Sequence, residues 1–304
     1  MLNPLVVWRV VDGKRGHERQ TQGLVNALQQ QLDLKVFDVP RLTFVMAFWS
    51  WLSGRFGTKQ KLPRPSVVIG AGHGTHLTLL LAGRIFDAKT IVLMCPSLPL
   101  AWFDLCIIPE HDSVHAKNVL TSKGALNPVK AGAQKDPQLG LILLGGLSNH
   151  YDWDDAVIMR QLAELVVRHA EINWLISTSP RTPVSMLQSL RELHFTNVSI
   201  IGFHSVNADW LPSKMSLAVN IWVTPDSVSM VYEALTTGAS VGVFDLAPKS
   251  GSKVVQGIAD LVSSQYLTPY HDWGKHRVLD TVGATFNEAT RCARWIKQHW
   301  FPEN

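Results

Sequence analysis

What most constrains this chain is a repeated order: a short apolar run, a turn of small residues, then a stretch with helical spacing. LVVWRVV (5–11) reads as a strand, DGKRGH (12–17) as a turn, and 17–32 as a helix carrying Leu24, Leu28 and Leu32 on one face. LKVFD (34–38), RPSVVIG (64–70), TIVLMC (90–95) and DLCIIP (104–109) read as further strands. GAGHGTH (70–76) leads into the helix HLTLLLAGRIF. The stretch 122–138, rich in Gly, Pro, Lys and Gln, reads as a linker, after which the order restarts. LGLILLGG (139–146), INWLIST (172–178), VSIIGF (198–203), LAVNIWV (217–223) and SVGVFDL (240–246) are strands. Helices are expected over 153–170, near 183–194, near 226–237 and in the tail, 284–300. Strands alternating with helices predict parallel sheets covered on both faces. The expected fold class is α/β: two Rossmann-like domains, 1–130 and 131–304, facing a cleft. The C-terminal helix belongs either to the second domain or back against the first.

Composition sets the limits. The 304 residues allow two domains at about 150 residues each. With 46% apolar and 17% charged residues the chain can fill two cores and is not disordered. A net charge of +4 is too mild to indicate nucleic acid. Three cysteines, Cys95, Cys106 and Cys292, lack metal-like spacing and fit a reducing compartment. MLNPLVVWRVVDG has no basic region before its apolar run, and no stretch reaches about 18 apolar residues. The expectation is a cytoplasmic protein, with peripheral attachment to the inner membrane considered below.

Five turns of one type follow predicted strands: DGKRGH (12–17), GAGHGTH (70–76), GGLSNHYD (145–152), STSPRTP (177–183) and TPDSVSM (224–230). Small residues leave backbone N–H groups open, and a following helix start adds partial positive charge, so such turns suit phosphates. They are equally ordinary tight turns of an α/β fold. None matches the P-loop, and none gives G-x-G-x-x-G with an acid about 20 residues on, which disfavours a nucleotide triphosphatase or a simple dehydrogenase. In 224–238, Asp226 or Ser227 caps a helix, Glu233 lies mid-helix and Gly238 ends it. A carboxylate two turns into such a helix reaches a ribose while the helix start holds a diphosphate; alternatively Glu233 lies on a solvated face.

That segment resembles the donor half of GT-B glycosyltransferases, particularly those adding N-acetylglucosamine to a lipid-linked muramyl precursor. The matching residues are Ser227, Ser229, Met230, Glu233 and Gly238. By this resemblance Phe203 lies where the base is held, and Gly145 and Gly146 form the donor domain's first glycine turn, with Ser148 beside them. The pattern departs at Thr224-Pro225-Asp226, since an acid beside a diphosphate is unfavourable.

Nearly the full length resembles the "elongated mitochondria" family of mitochondrial fission factors and its bacterial relatives. The carrying motifs are Trp8–His17 with Gln20 and Gly23-Leu24, Gly70–Gly74, Gly145-Gly146, Thr178–Pro183 and Thr224–Glu233. The resemblance implies a GT-B-like fold. It also implies, for bacterial members, sugar transfer to cell-envelope polysaccharide or lipooligosaccharide; plant members are membrane-bound recruiters of a dynamin-related protein.

An inverting transfer needs a base for the acceptor hydroxyl and positive charge for the leaving diphosphate. His17 and His73 are the base candidates among the turn histidines, which include His76 and His150, and Asp12 is a second choice. A histidine at a helix start is also commonly mere polar filler. Arg181, with Ser177 and Thr178, is the candidate for the diphosphate, or else a surface arginine. Asp152, Asp154 and Asp155 read as caps, and no metal or other cofactor is expected. The donor is expected to be a nucleotide sugar, with UDP favoured, and the acceptor saccharide or lipid-linked. A scaffold on the same fold and a nucleotide-sugar epimerase are the alternatives. Finally, 41–64 carries Phe44, Phe48, Trp49, Trp51 and Phe56 with Arg41, Arg55, Lys59, Lys61 and Arg64, and no acid lies between Asp38 and Asp87. Such a segment suits a helix lying in an anionic membrane surface, or a buried helix covering the sheet.

Overall fold

A computed structural model describes residues 4–57, 61–207, 209–276, 279 and 286–302. Lys59, and residues 284 and 285 at the head of the expected tail helix, lie outside them. The chain divides into two compact units, residues 1–128 with 288–304, and residues 129–287.

The first unit begins with β1 (Leu5–Val11), α1 (Arg15–Gln29), β2 (Leu34–Pro40) and α2 (Phe44–Ser53). It continues through β3 (Val67–Ala71), α3 (His76–Phe86), β4 (Lys89–Leu93), β5 (Leu105–Pro109) and β6 (Val119–Ser122). Its strands form one parallel sheet in the order β2-β1-β3-β4-β5-β6. Period-two alternation sorts the side chains. Val7, Ile69 and Ile91 face a core with Leu24 and Leu28 of α1, while Trp8, Val68 and Val92 face a second core with Leu79 and Ala82 of α3. Because both faces are covered, the strands read as unbroken apolar runs.

The second unit holds β7 (Asp136–Leu143), β8 (Tyr151–Asp152), α4 (Asp155–Arg168), β9 (Asn173–Ser177), α5 (Val184–Arg191), β10 (Val198–Ile201) and α6 (Trp210–Leu217). It then adds β11 (Ala218–Val223), α7 (Val228–Thr236), β12 (Ser240–Val243), β13 (Ala247–Pro248), α8 (Lys253–Ser263), β14 (Thr268–Pro269) and α9 (Tyr270–His276). Its main sheet is parallel, ordered β10-β9-β7-β11-β12-β14, and β8 and β13 make a small antiparallel ladder. Leu162, Leu165, Trp174 and Trp222 fill its core.

The last helix, α10 (Glu288–Trp300), belongs to the first unit. Ala289, Cys292, Ala293 and Ile296 pack into the core beneath α1, Lys297 Nζ reaches the Gln31 carbonyl at 3.0 Å, and Glu288 accepts the Lys123 N–H at 2.8 Å.

Both sheets reverse direction of growth once, between β1 and β3 and between β7 and β11. In open α/β sheets ligands sit beyond the carboxyl ends of the strands at such switch points. The structure departs from sequence expectation in the linker, most of which is irregular but which contributes the start of β7 from Asp136. It also adds α6, α8 and α9, whose short or interrupted patterns give little periodic signal.

The aromatic segment splits. Phe56 is part of the core beside Trp8, at 5.2 Å between ring centroids. On α2 only Ala47 and Ser50 are buried, whereas Phe44 is 77% and Trp49 61% exposed, with Phe48, Trp51 and Leu52 also exposed. A buried helix covering the sheet is therefore not what these residues make. Among the described residues no helix is long and apolar enough to cross a membrane.

Candidate functional site

At the first switch point, the turn after β1 is organised by Asp12. Its Oδ1 accepts the Lys14 N–H at 3.1 Å and its Oδ2 meets His17 Nδ1 at 2.8 Å. The Asp12 carboxylate is 3% exposed and the His17 ring 18%. Burial pushes the Asp12 carboxyl upward, but the His17 hydrogen bond and the Lys14 N–H outweigh it and leave it below its ordinary value. Gly13, at φ +81°, lets the chain turn here, and its N–H donates to Glu18 Oε1 at 3.0 Å.

The glycines after β3 exist for this pair. Gly72 has φ +73°, and a methyl group there would lie 2.2 Å from His17 Cε1. A methyl group on Gly74 would lie 3.4 Å from Arg41 Nη1 and 3.5 Å from Asp12 Oδ2. So Asp12, His17 and Arg41 converge over the Gly72–Gly74 backbone. His73, the other base candidate, is exposed. The neighbouring His76 is buried, and burial followed by the charge of His73 lowers its pKa. Gly23, in the same motif set, lies where a methyl group would strike the Asn127 backbone at 2.4 Å, which is a packing role.

At the second switch point, three loops tie into a knot. Gly145 donates its N–H to Thr224 Oγ1 at 2.7 Å, and Gly146 donates to Asp226 Oδ2 at 2.9 Å. Arg181 Nη2 meets the same oxygen at 3.0 Å, and Nη1 donates to the Leu147 carbonyl at 2.9 Å. Ser179 and Thr182 hydroxyls both donate to the Gly145 carbonyl. Gly145 must be glycine, because a methyl group would fall 2.2 Å from Asp226 Oδ2. The expected phosphate turn is thus filled by the protein's own side chains. Asp226 does not cap α7: its carboxylate turns to the end of β7, where a backbone N–H and a guanidinium compensate its burial. Ser227 occupies the cap position but makes no capping hydrogen bond.

The other predicted residues distribute around this knot. Thr178 Oγ1 accepts the Phe203 N–H at 3.2 Å, so those two are joined; Ser177 is buried at the end of β9. Ser148 Oγ organises its own turn by accepting the His150 and Tyr151 N–H groups at 3.1 and 3.2 Å. On α7, Ser229 is exposed and Met230 and Glu233 are half-buried. Asp154 caps α4, accepting the Val157 N–H at 3.0 Å. Among the described residues no group of three or more His, Cys, Asp or Glu side chains is placed to share a metal ion. Sequence reasoning missed Thr224, Ser179 and Thr182. Their signal was hydroxyl residues directly after apolar strands, where buried strand ends need local partners.

The family model for mitochondrial fission ELM1 proteins matches residues 15–300. The chain belongs to that family. A curated relative, an uncharacterized protein of Rickettsia prowazekii, is 24% identical over 60% of this chain and 65% of its own length. The chain therefore spans less than two thirds of that relative. Among solved structures, a Listeria monocytogenes protein assigned as a UDP-N-acetylglucosamine 2-epimerase aligns at TM-score 0.60 and 10% identity, covering 99% of this chain and 98% of that one. The Neisseria meningitidis UDP-GlcNAc 2-epimerase bound to UDP-GlcNAc aligns at 0.55 and 11% identity, covering 98% and 100%. The glycosyltransferase of kitacinnamycin aligns at 0.54 and 11% identity, covering 98% and 99%. At such identities these likenesses establish the fold of this ELM1-family chain, which is GT-B-like.

Proposed function

We propose that this protein transfers a sugar from a nucleotide-sugar donor, UDP-linked by preference, to a cell-envelope acceptor. The observation that carries the reading is the Asp12–His17 pair, 2.8 Å apart at a switch point. A buried carboxylate on Nδ1 fixes the imidazole so that Nε2 is the position for taking a proton. In the proposed reaction His17 Nε2 takes the acceptor hydroxyl proton as that oxygen bonds to the anomeric carbon. The bond to the diphosphate breaks and the nucleoside diphosphate leaves with its electron pair. Asp12 holds the imidazolium so formed. The start of α7, with Ser227 and Ser229, and Arg181 supply positive potential for the leaving group. Glu233 is placed for the ribose, and Phe203, tied to Thr178, for the base. The preference for UDP leans on the fold shared with an epimerase solved bound to UDP-GlcNAc.

The test is a thermal-shift panel of UDP, GDP, ADP, CMP and their sugars, in which a bound ligand raises stability by RT ln(1 + [L]/Kd). The expected result is a shift with one nucleotide family, lost in Glu233→Ala. Turnover with an acceptor fraction should then fall in His17→Asn and Asp12→Asn with binding retained. No shift with any nucleotide sinks both the transferase and the epimerase reading and leaves a scaffold. Isomerisation of the donor sugar without any acceptor would establish the epimerase instead.

We also read α2 as a membrane-surface anchor. It exposes Phe44, Phe48, Trp49, Trp51 and Leu52, and Arg41, Arg55, Lys61 and Arg64 flank it in a stretch without acids. Such a face suits anionic lipid and would bring the first unit to a lipid-linked acceptor. Vesicles containing phosphatidylglycerol should co-float the protein, and Trp49→Glu with Trp51→Glu should abolish flotation while the fold persists. Flotation unchanged by that double substitution would remove the anchor.

A further inference from the structure

The anion place at the second switch point is already occupied. The Gly146 N–H and the Arg181 guanidinium are what a phosphate oxygen would seek at the carboxyl end of a central strand. In this structure both converge on Oδ2 of Asp226, at 2.9 and 3.0 Å. The Asp226 side chain is 1% exposed, and its other oxygen, Oδ1, is buried without a hydrogen-bond partner. A buried carboxylate with one oxygen unsatisfied is a costly arrangement. Burial pushes this carboxyl above the usual carboxylate range, against the pull of Thr224, Gly146 and Arg181. Nothing in the packing of β7 or β11 requires a charge here. Thr224 already ties the two strand ends through the Gly145 N–H at 2.7 Å, and Ser179 and Thr182 hold the third loop to the Gly145 carbonyl.

We propose that Asp226 is a built-in competitor for the donor diphosphate, an internal anion from which Arg181 must be drawn before the ligand binds. The inference rests on the nucleotide-sugar reading above and deepens it: the site is self-occupied when empty, and Asp226 sets the threshold for anion entry. Arg181 is well placed to switch, since its side chain is 42% exposed and its second contact is a single carbonyl, Leu147, on the surface loop after Gly146.

The test compares wild type with Asp226→Asn by calorimetric titration with UDP and, separately, with inorganic pyrophosphate. The Asn variant keeps the shape and an acceptor for Gly146 while removing the charge. Expected is an affinity about tenfold tighter in Asp226→Asn for both probes, as removal of a like charge beside a bound anion predicts. The gain should vanish in Asp226→Asn with Arg181→Ala. Should Asp226→Asn fail to fold by circular dichroism, Asp226→Ser is read the same way. Equal or weaker binding by the variant overturns the competitor role while leaving the nucleotide site intact. Pyrophosphate binding that tightens without any UDP binding keeps the competitor and discards the nucleotide reading. No binding of either probe to either protein discards both.

Discussion

Gly72→Ala is the sharpest probe of the Asp12–His17 pair, because two separate costs meet at one methyl group. The first is backbone: at φ +73° a non-glycine residue costs about 1–2 kcal/mol. The second is steric, since the methyl lies 2.2 Å from His17 Cε1 and the ring has to leave. Leaving breaks the 2.8 Å bond to an Asp12 carboxylate that is 3% exposed. A hydrogen bond to a charged group contributes about 1.5–3 kcal/mol, so the two costs together come to about 3–5 kcal/mol. In a His17→Ala background there is no ring to strike, and only the backbone cost of about 1–2 kcal/mol remains. The double-mutant cycle should therefore give a coupling of about 1.5–3 kcal/mol. Urea unfolding followed by tryptophan fluorescence reads it, with Trp8 buried in the same unit as reporter. At slopes of about 1–3 kcal/mol per molar urea, the single substitution should lower that unit's midpoint by about 1 M or more. An equal cost in both backgrounds would mean that the ring does not sit on Gly72 and that the catalytic geometry is misplaced.

Asp12 also makes an acid-limb prediction. Its folded-state pKa is depressed, so its contribution is present above the unfolded value and lost as pH falls through the folded one, below about pH 4. Asp12→Asn should lower stability at pH 7 and flatten that part of the acid-denaturation curve; an unchanged curve refutes the assignment. Thiol labelling should find one fast cysteine in the native protein, Cys95, and all three in urea. Cys106 and Cys292 are buried, their thiols pushed up to about 12, and fast labelling of either would refute the packing. Gly23→Ala should destabilise by about 1–3 kcal/mol through collision with the Asn127 backbone. Gly16→Ala, in the same helix with nothing within 4 Å, should be neutral or stabilising by up to about 1 kcal/mol. A calorimetric scan that ranks the two the other way would reject the crossing.

The sequence by itself determined the element order, the parallel sheets and the turns that carry chemistry. Strands covered on both faces read as apolar runs, and helix starts carry their own caps, as Asp154 does on α4. These are local signals, set by backbone sterics and periodicity. The sequence also placed Asp12 and His17 in one turn, five residues apart, where a contact depends on little else. Tertiary structure decided what lies far apart in the chain. Gly72 under His17, Asp226 under Gly145 and Gly146, and α10 beneath α1 all join segments whose contact no periodicity announces. The same limit explains Arg181. Its motif suits a phosphate, yet a buried carboxylate needs a counter-charge, and only the folded chain shows that Asp226 takes it. It also explains α2, whose aromatic residues fit a core as well as a surface until the packing leaves them exposed.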